Sequence, residues 1–246
     1  MARLSIKADG LELDEPTMVE GLPGVGLVGK IVADHLVDTF GMTHFANVHC
    51  EGLPKVAVFT GESAELSPPV RLYADEQRDL LVLQSDVPVS PDAAAEFAEC
   101  VAGWYDDLDV MPLYLSGQPT EKGPEPPSLY GVGTGSGVSL VEEADIDSPS
   151  EPGLVSGPTG ALMSYAVEHG QRAVGLVVES DPQFPDPEAA RVVIKDGIEP
   201  LSGVEVPVDD LVEHAEDIRE AKQRLAERMR EADEESTRTR PLRMYQ

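Results

Sequence analysis

The chain has 246 residues, 41% of them hydrophobic, with 46 Asp and Glu against 18 Lys and Arg and a formal net charge of −28. That apolar fraction suffices for a folded core and excludes an acidic disordered polymer, and so negative a chain excludes general binding to nucleic-acid phosphates. Self-repulsion on this scale strains a compact domain in dilute buffer but fades in molar salt, where the Debye length falls to ~3 Å, so the composition points to a salt-adapted protein.

In chain order, residues 17–20 are expected to form a short strand, followed by a glycine turn. A helix is expected from Leu27 to Phe40, with Leu27, Ile31, Val32, Leu36 and Val37 on one side. Residues 44–50 suit a strand, Val56–Thr60 and Val70–Ala74 a hairpin, and the unbroken apolar run Leu80–Gln84 a buried strand. Ser90 is placed to cap a helix that has Pro91 at its first position and runs to about Leu108. Strands are then expected at Val110–Ser116, Ser128–Gly131 and Gly153–Gly157, with a proline-rich loop at 117–127 and a glycine-rich stretch from Gly131 to Gly137. Thr159–His169 suits a helix, Arg172–Glu179 the strongest strand, and Asp186 or Pro187 starts a helix through Lys195. Strands alternating with helices in this way predict an α/β domain with a parallel or mixed sheet and helices on both faces.

The C-terminal part differs. Residues 209–235 are predicted as one long charged helix, with Leu211, Ala215, Ile218, Lys222, Leu225, Met229 and Ala232 at heptad spacing. This seam suits packing on its own domain or between subunits. From 236 to 246 the chain carries Arg238, Arg240 and Arg243 and no acid, and Pro241 blocks a helix. The expected organisation is a domain over 1–208, a helix over 209–235 and a mobile basic tail over 236–246.

No apolar run approaches the ~20 residues needed to span a membrane, and the N-terminal residues show no secretory signal, so a cytoplasmic location is expected. Cys50 and Cys100 are expected to be buried thiols rather than a disulfide framework or zinc site. The histidines at 35, 44, 49, 169 and 214 show no metal spacing, and no pair of carboxylates stands out as acid and base. Ser136 lacks the spacing of a nucleophile elbow.

The run Gly21-Leu-Pro-Gly24-Val-Gly26-Leu-Val-Gly29-Lys30 invites a ligand reading. Gly24, Gly26 and Gly29 spell a dinucleotide fingerprint, with Glu51 roughly placed for a ribose. Against it, the preceding strand is short and contains Glu20. Gly24, Gly29 and Lys30 also approach a phosphate loop, but Ile31 stands where a hydroxyl must ligate magnesium. The preferred expectation is that these glycines let a helix pack tightly on the sheet.

The same run resembles the start of archaeal members of the proteasome assembly chaperone 2 family. Tyr130-Gly-Val-Gly-Thr134, Gly157-Pro-Thr-Gly160 and Glu179-Ser-Asp-Pro-Gln-Phe-Pro-Asp-Pro-Glu-Ala-Ala190 resemble later motifs of that family in order and spacing, over roughly residues 15–220. The resemblance implies a three-layer α/β/α, phosphorylase-like domain with a mixed, largely parallel sheet. It also implies homo-oligomerisation (trimer to pentamer), no cofactor, ATP-independence and binding to the α subunits of the 20S proteasome. Members of this type often carry a hydrophobic-tyrosine-any C-terminus. Carried over, Met244 fills the hydrophobic position, Tyr245 enters a pocket between neighbouring α subunits, and the carboxylate of Gln246 pairs with a pocket lysine. Arg238, Arg240 and Arg243 are expected to offset repulsion between two acidic bodies. The rival expectations are a nucleoside- or nucleotide-handling enzyme using the Gly24, Gly26 and Gly29 turn, and a scaffold for a different tail-binding partner.

Overall fold

The computed structural model describes residues 3–211, apart from 9, 51–52, 60–63, 106–108, 121–124 and 184. Eight strands form one sheet: β1 (Arg3–Ile6), β2 (Thr17–Gly21), β3 (Thr43–His49), β4 (Val70–Asp75), β5 (Leu80–Ser85), β6 (Met111–Pro119), β7 (Leu129–Thr134) and β8 (Ala173–Ser180). Their order across the sheet is β1-β3-β4-β5-β2-β6-β8-β7. The centre, β5-β2-β6-β8, is parallel. Both flanks are antiparallel, β1 with β3, β3 with β4, β4 with β5, and β7 with β8. The longer helices are α1 (Val28–Phe40), α2 (Ala94–Tyr105) and α4 (Gly157–His169), joined by the shorter α3 (Gly137–Glu143), α5 (Pro187–Val192) and α6 (Glu199–Ser202).

Strand side chains alternate, so each central strand feeds two cores. Met18, Leu81, Leu83 and Tyr114 point to one face, under Phe97 and Val101 of α2 and Leu162 and Ala166 of α4. Val19, Leu80, Val82, Leu113 and Leu115 point to the other, under Val28, Val32 and Leu36 of α1 and Ala189 and Ala190 of α5. Burial on both faces is why β5 opens with the unbroken apolar run Leu80–Leu83. The crossover β2-α1-β3 moves toward the β1 edge, while β5-α2-β6 moves toward the β7 edge. Crossovers of one hand that move in opposite directions put their helices on opposite faces, which gives three layers.

Several expectations need correction. The hairpin of Val56–Thr60 with Val70–Ala74 is not formed among the described residues: β4 pairs with β3 and β5, and Val58 makes an isolated bridge to Ser67. Gly153–Gly157 is not a strand either, since Ser156 already holds the N-cap position of α4 in extended conformation. The glycine-rich stretch holds the end of β7 and the start of α3, whose Val141 is buried against the sheet. Ser90 sits at an N-cap with Pro91 behind it but makes no side-chain cap, and the first turn, Pro91–Ala93, is tighter than an α-helix. The helix expected to end at Lys195 instead passes through a π-helical turn, Val193–Ile198, into α6. Of the expected 209–235 helix, residues 209–211 are helical and Leu211 is buried in the α1 face. The remainder of that helix and the 236–246 tail lie outside the described residues.

Candidate functional site

In open α/β sheets ligands bind beyond the carboxyl ends of parallel strands, where crossovers diverge. Here that region is the end of β2, and the glycine run passes through it. Gly24, the glycine a dinucleotide turn needs first, is extended (φ −137°, ψ −158°) and has open space where a β-carbon would go. Gly26 has a positive φ of 62° and does require glycine, because a β-carbon there would overlap Ser180 Oγ. The side of Gly26 that would approach a pyrophosphate is therefore already filled by the end of β8. At the start of the run a β-carbon on Gly21 would overlap Ala33 Cβ, so Gly21 lets α1 lie directly on the sheet.

Asp186 closes this turn from the other side. Its carboxylate accepts from Ser180 Oγ at 3.2 Å, Asp181 N at 3.0 Å and Ala189 N at 3.1 Å, which makes it the N-cap of α5. Its own N–H donates to Gly26 O at 2.8 Å. One aspartate thus caps a helix and pins the glycine turn. Pro187 at the first helical position explains why the expected boundary at Asp186 or Pro187 is sharp.

Lys30, the lysine of the phosphate-loop reading, contacts protein carboxylates. Its Nζ lies 2.6 Å from Asp34 Oδ1 and 3.1 Å from Asp86 Oδ1. Arg71 holds the far side of Asp86 at 2.6 Å and Gln84 Oε1 at 2.7 Å, and Gln84 Nε2 donates to Asp34 at 2.6 Å. The cations near this strand end are matched by side chains of the same chain. The ribose candidate Glu51 lies outside the described residues. Among the described residues, no group of three or more His, Cys, Asp or Glu could hold a metal ion, and no helix is long and apolar enough to cross a membrane.

Beneath the turn lies a carboxyl that sequence reading marked only as an oddity. The β2–β6 ladder ends at Val19↔Leu113 as the strands separate. Glu20, fully buried, continues it with its side chain: Oε2 accepts from Leu115 N at 3.0 Å and Oε1 from Leu22 N at 3.1 Å. Thr159 Oγ1, in the first turn of α4, lies 3.2 and 3.3 Å from the two oxygens. Burial raises the Glu20 pKa from 4.5 to about 7, and the hydrogen bonds from Leu115, Leu22 and Thr159 pull against that rise. Tyr114, on the next strand and equally buried, has its phenol pushed above its ordinary range by burial first and by Glu20 second. Its hydroxyl finds no hydrogen-bond partner among the described residues.

Of the residues singled out in sequence, Gly24, Gly26 and Gly29 come together in a turn closed by protein. Met244, Tyr245, Gln246, Arg238, Arg240 and Arg243 lie outside the described residues. Cys50 is buried as expected, but Cys100 is only half-buried.

A sheet with a parallel centre between two helical layers, whose glycine turn is filled by its own chain, defines a three-layer α/β domain built on packing at the position where a nucleotide fold opens. The chain belongs to the PAC2 family, whose model matches residues 18–226. An uncharacterized protein of Methanocaldococcus jannaschii is 26% identical over 227 residues, covering 88% of each chain. Among solved structures, Pyrococcus furiosus PbaA, described as an archaeal homolog of proteasome-assembly chaperone, superposes with a TM-score of 0.80 at 24% identity, over 96% of this chain and 95% of its own. Pyrococcus furiosus PbaB, described as an archaeal proteasome activator, gives a TM-score of 0.74 at 20% identity, over 92% and 98%. At these identities the shared property is the fold.

Proposed function

We propose that this chain is an ATP-independent, non-enzymatic proteasome assembly chaperone or adaptor, acting in the cytoplasm as a homo-oligomer on the α subunits of the 20S particle. The observation that carries the reading is PAC2 membership, joined to a fold shared over nearly the whole chain with PbaA and PbaB, whose descriptions name proteasome assembly and activation. The closed glycine turn supports it by filling with protein the position where the nucleotide reading puts a ligand.

Docking is assigned to Met244-Tyr245-Gln246 at the end of the 236–246 tail. A tyrosine anchor supplies contact area with little rotamer entropy to lose, and a carboxylate next to a lysine makes a charge-assisted hydrogen bond. Arg238, Arg240 and Arg243 lessen repulsion between this acidic chain, net −28 as a whole, and an acidic ring. Several tails in one oligomer add avidity on a ring target.

The test is co-purification with the α ring in molar salt, using the intact chain, a chain lacking Met244–Gln246, and a chain with one residue added after Gln246. One added residue displaces the carboxylate by ~3 Å, so both altered chains should lose binding while keeping their fold. Undiminished co-purification of both would sink the tail assignment. Failure of the intact chain to bind any α subunit would sink the function.

A further inference from the structure

Strands β6, β8 and β7 lie side by side, and Tyr114, Gly175 and Val132 stand at one level across them. The glycine between two large side chains leaves a gap in that face of the sheet. Ala173, two residues earlier on β8, extends the gap toward Thr134, its partner on β7. Helix α4 crosses above with Met163 and Val167, one turn apart. The result is a cavity of about 50 Å³ lined by these side chains. It runs from Tyr114, which is fully buried, to Val167, which is 67% exposed, so its mouth lies beside α4.

The lining side chains are apolar apart from the Tyr114 phenol and the Thr134 hydroxyl. The Tyr114 hydroxyl has no hydrogen-bond partner among the described residues. A buried hydroxyl left unpaired is costly, and a ligand oxygen placed beside it recovers that cost. We propose that this cavity is a binding site for a small neutral organic molecule, a two- or three-carbon body carrying one acceptor oxygen, as in a ketone or an alcohol. The apolar body lies on Gly175 and Ala173 beneath Met163, and the oxygen accepts from Tyr114. At ~30 Å³ for a water-sized group, about 50 Å³ admits nearly two such groups, and the rest of the ligand lies in the mouth against Val167.

The surroundings set the ligand class. Burial first, and then the Glu20 charge on neighbouring β2, hold the phenol in its protonated form, so Tyr114 acts as a donor. An anion would lose its hydration against apolar walls and meet both Glu20 and a chain of net charge −28. A cation would find no carboxylate among the lining residues. The site is separate from the glycine turn, whose helix α1 packs on the opposite face of the sheet. It is also independent of docking by the C-terminal tail.

The experiment titrates the full-length protein in molar salt with acetone, which accepts hydrogen bonds and cannot donate them. Cyclopropane and acetate serve as the apolar and the charged comparison. The readout is the methyl NMR signal of Met163 and its nuclear Overhauser contacts with the added molecule. Acetone should give saturable shifts with a dissociation constant on the order of 1–10 mM and a direct contact to the Met163 methyl. Acetate should give neither. Tyr114→Phe should weaken acetone by about three- to tenfold and leave cyclopropane within about twofold. Gly175→Ala places a methyl 2.5 Å from Met163 Cε and should weaken both. Should Gly175→Ala fail to fold, Tyr114→Phe carries the test alone, because it removes one oxygen and keeps the ring. Absence of saturable shifts, contacts confined to another part of the protein, acetone affinity unchanged in Tyr114→Phe, or acetate binding as tightly as acetone would each overturn the proposal.

Discussion

Replacing Glu20 by alanine removes the acceptor of two buried backbone N–H groups, those of Leu22 and Leu115. A buried donor left unpaired costs about 1–3 kcal/mol, so the pair predicts a loss of roughly 2–6 kcal/mol, a large part of an ordinary domain's stability. The ionised carboxylate carries its own cost. The folded-state pKa is raised from 4.5 to about 7, so the folded chain holds the Glu20 proton more tightly than the unfolded chain. Its contribution is fully present below about pH 4.5 and is lost as pH rises through 7, a total near 3 kcal/mol at about 1.4 kcal/mol per pH unit. Glu20→Gln cannot ionise. It keeps one acceptor and presents a donor to the other N–H, so it is expected to be less stable than the native chain at about pH 5 by roughly 1–2 kcal/mol. By about pH 8 that deficit should vanish or reverse, because only the native chain then carries the buried charge. The assay is chemical denaturation in molar salt at several pH values between these limits, taking the difference between the two proteins so that the other carboxylates cancel. A difference that does not change with pH would refute the claim that burial of Glu20 makes folding pH-dependent.

Gly26→Ala should destabilise the fold by roughly 2 kcal/mol or more, because the new methyl meets Ser180 Oγ and the backbone holds a positive φ of 62°. Thermal unfolding measures this, and a variant as stable as the native chain would mean that the turn is open at Ser180. Thermal shift in molar salt with NAD, ATP and nucleosides is expected to show no stabilisation. A reproducible rise in midpoint with any of them would move the glycine turn back to a ligand role.

The sheet was largely legible because its central strands are buried on both faces. Leu80–Leu83 and Ala173–Val178 stand out as runs without a polar side chain, and the strands expected around them agree with the structure to within a residue or two. Strand β1 was missed: four residues at the sheet edge, Arg3–Ile6, need little apolar signal, because pairing with β3 supplies their order. The apolar content of Gly153–Gly157 suggested a strand, but the segment leads into α4, and Leu154 is exposed. Glu20 was visible as an acid in an apolar strand, yet nothing local names Thr159, which lies 139 positions away. Asp186 was readable as a helix start from the proline that follows it. Its second role, holding Gly26, depends on a long-range contact between β8 and the first turn.

The order of strands across the sheet also sets a timetable for synthesis. Strand β2 is made within the first 21 residues, but its neighbours come from residues 80–85 and 111–119, and β8 ends only at Ser180. At ribosomal rates of roughly 5 to 20 residues per second, β2 waits about 8 to 32 s before the parallel centre can close. Meanwhile β3, β4 and β5 are antiparallel neighbours joined in sequence, and they can pair first. The domain would then grow from one wing toward the other, with the Glu20 clamp among the later pieces, because Thr159 emerges long after the strand that it holds.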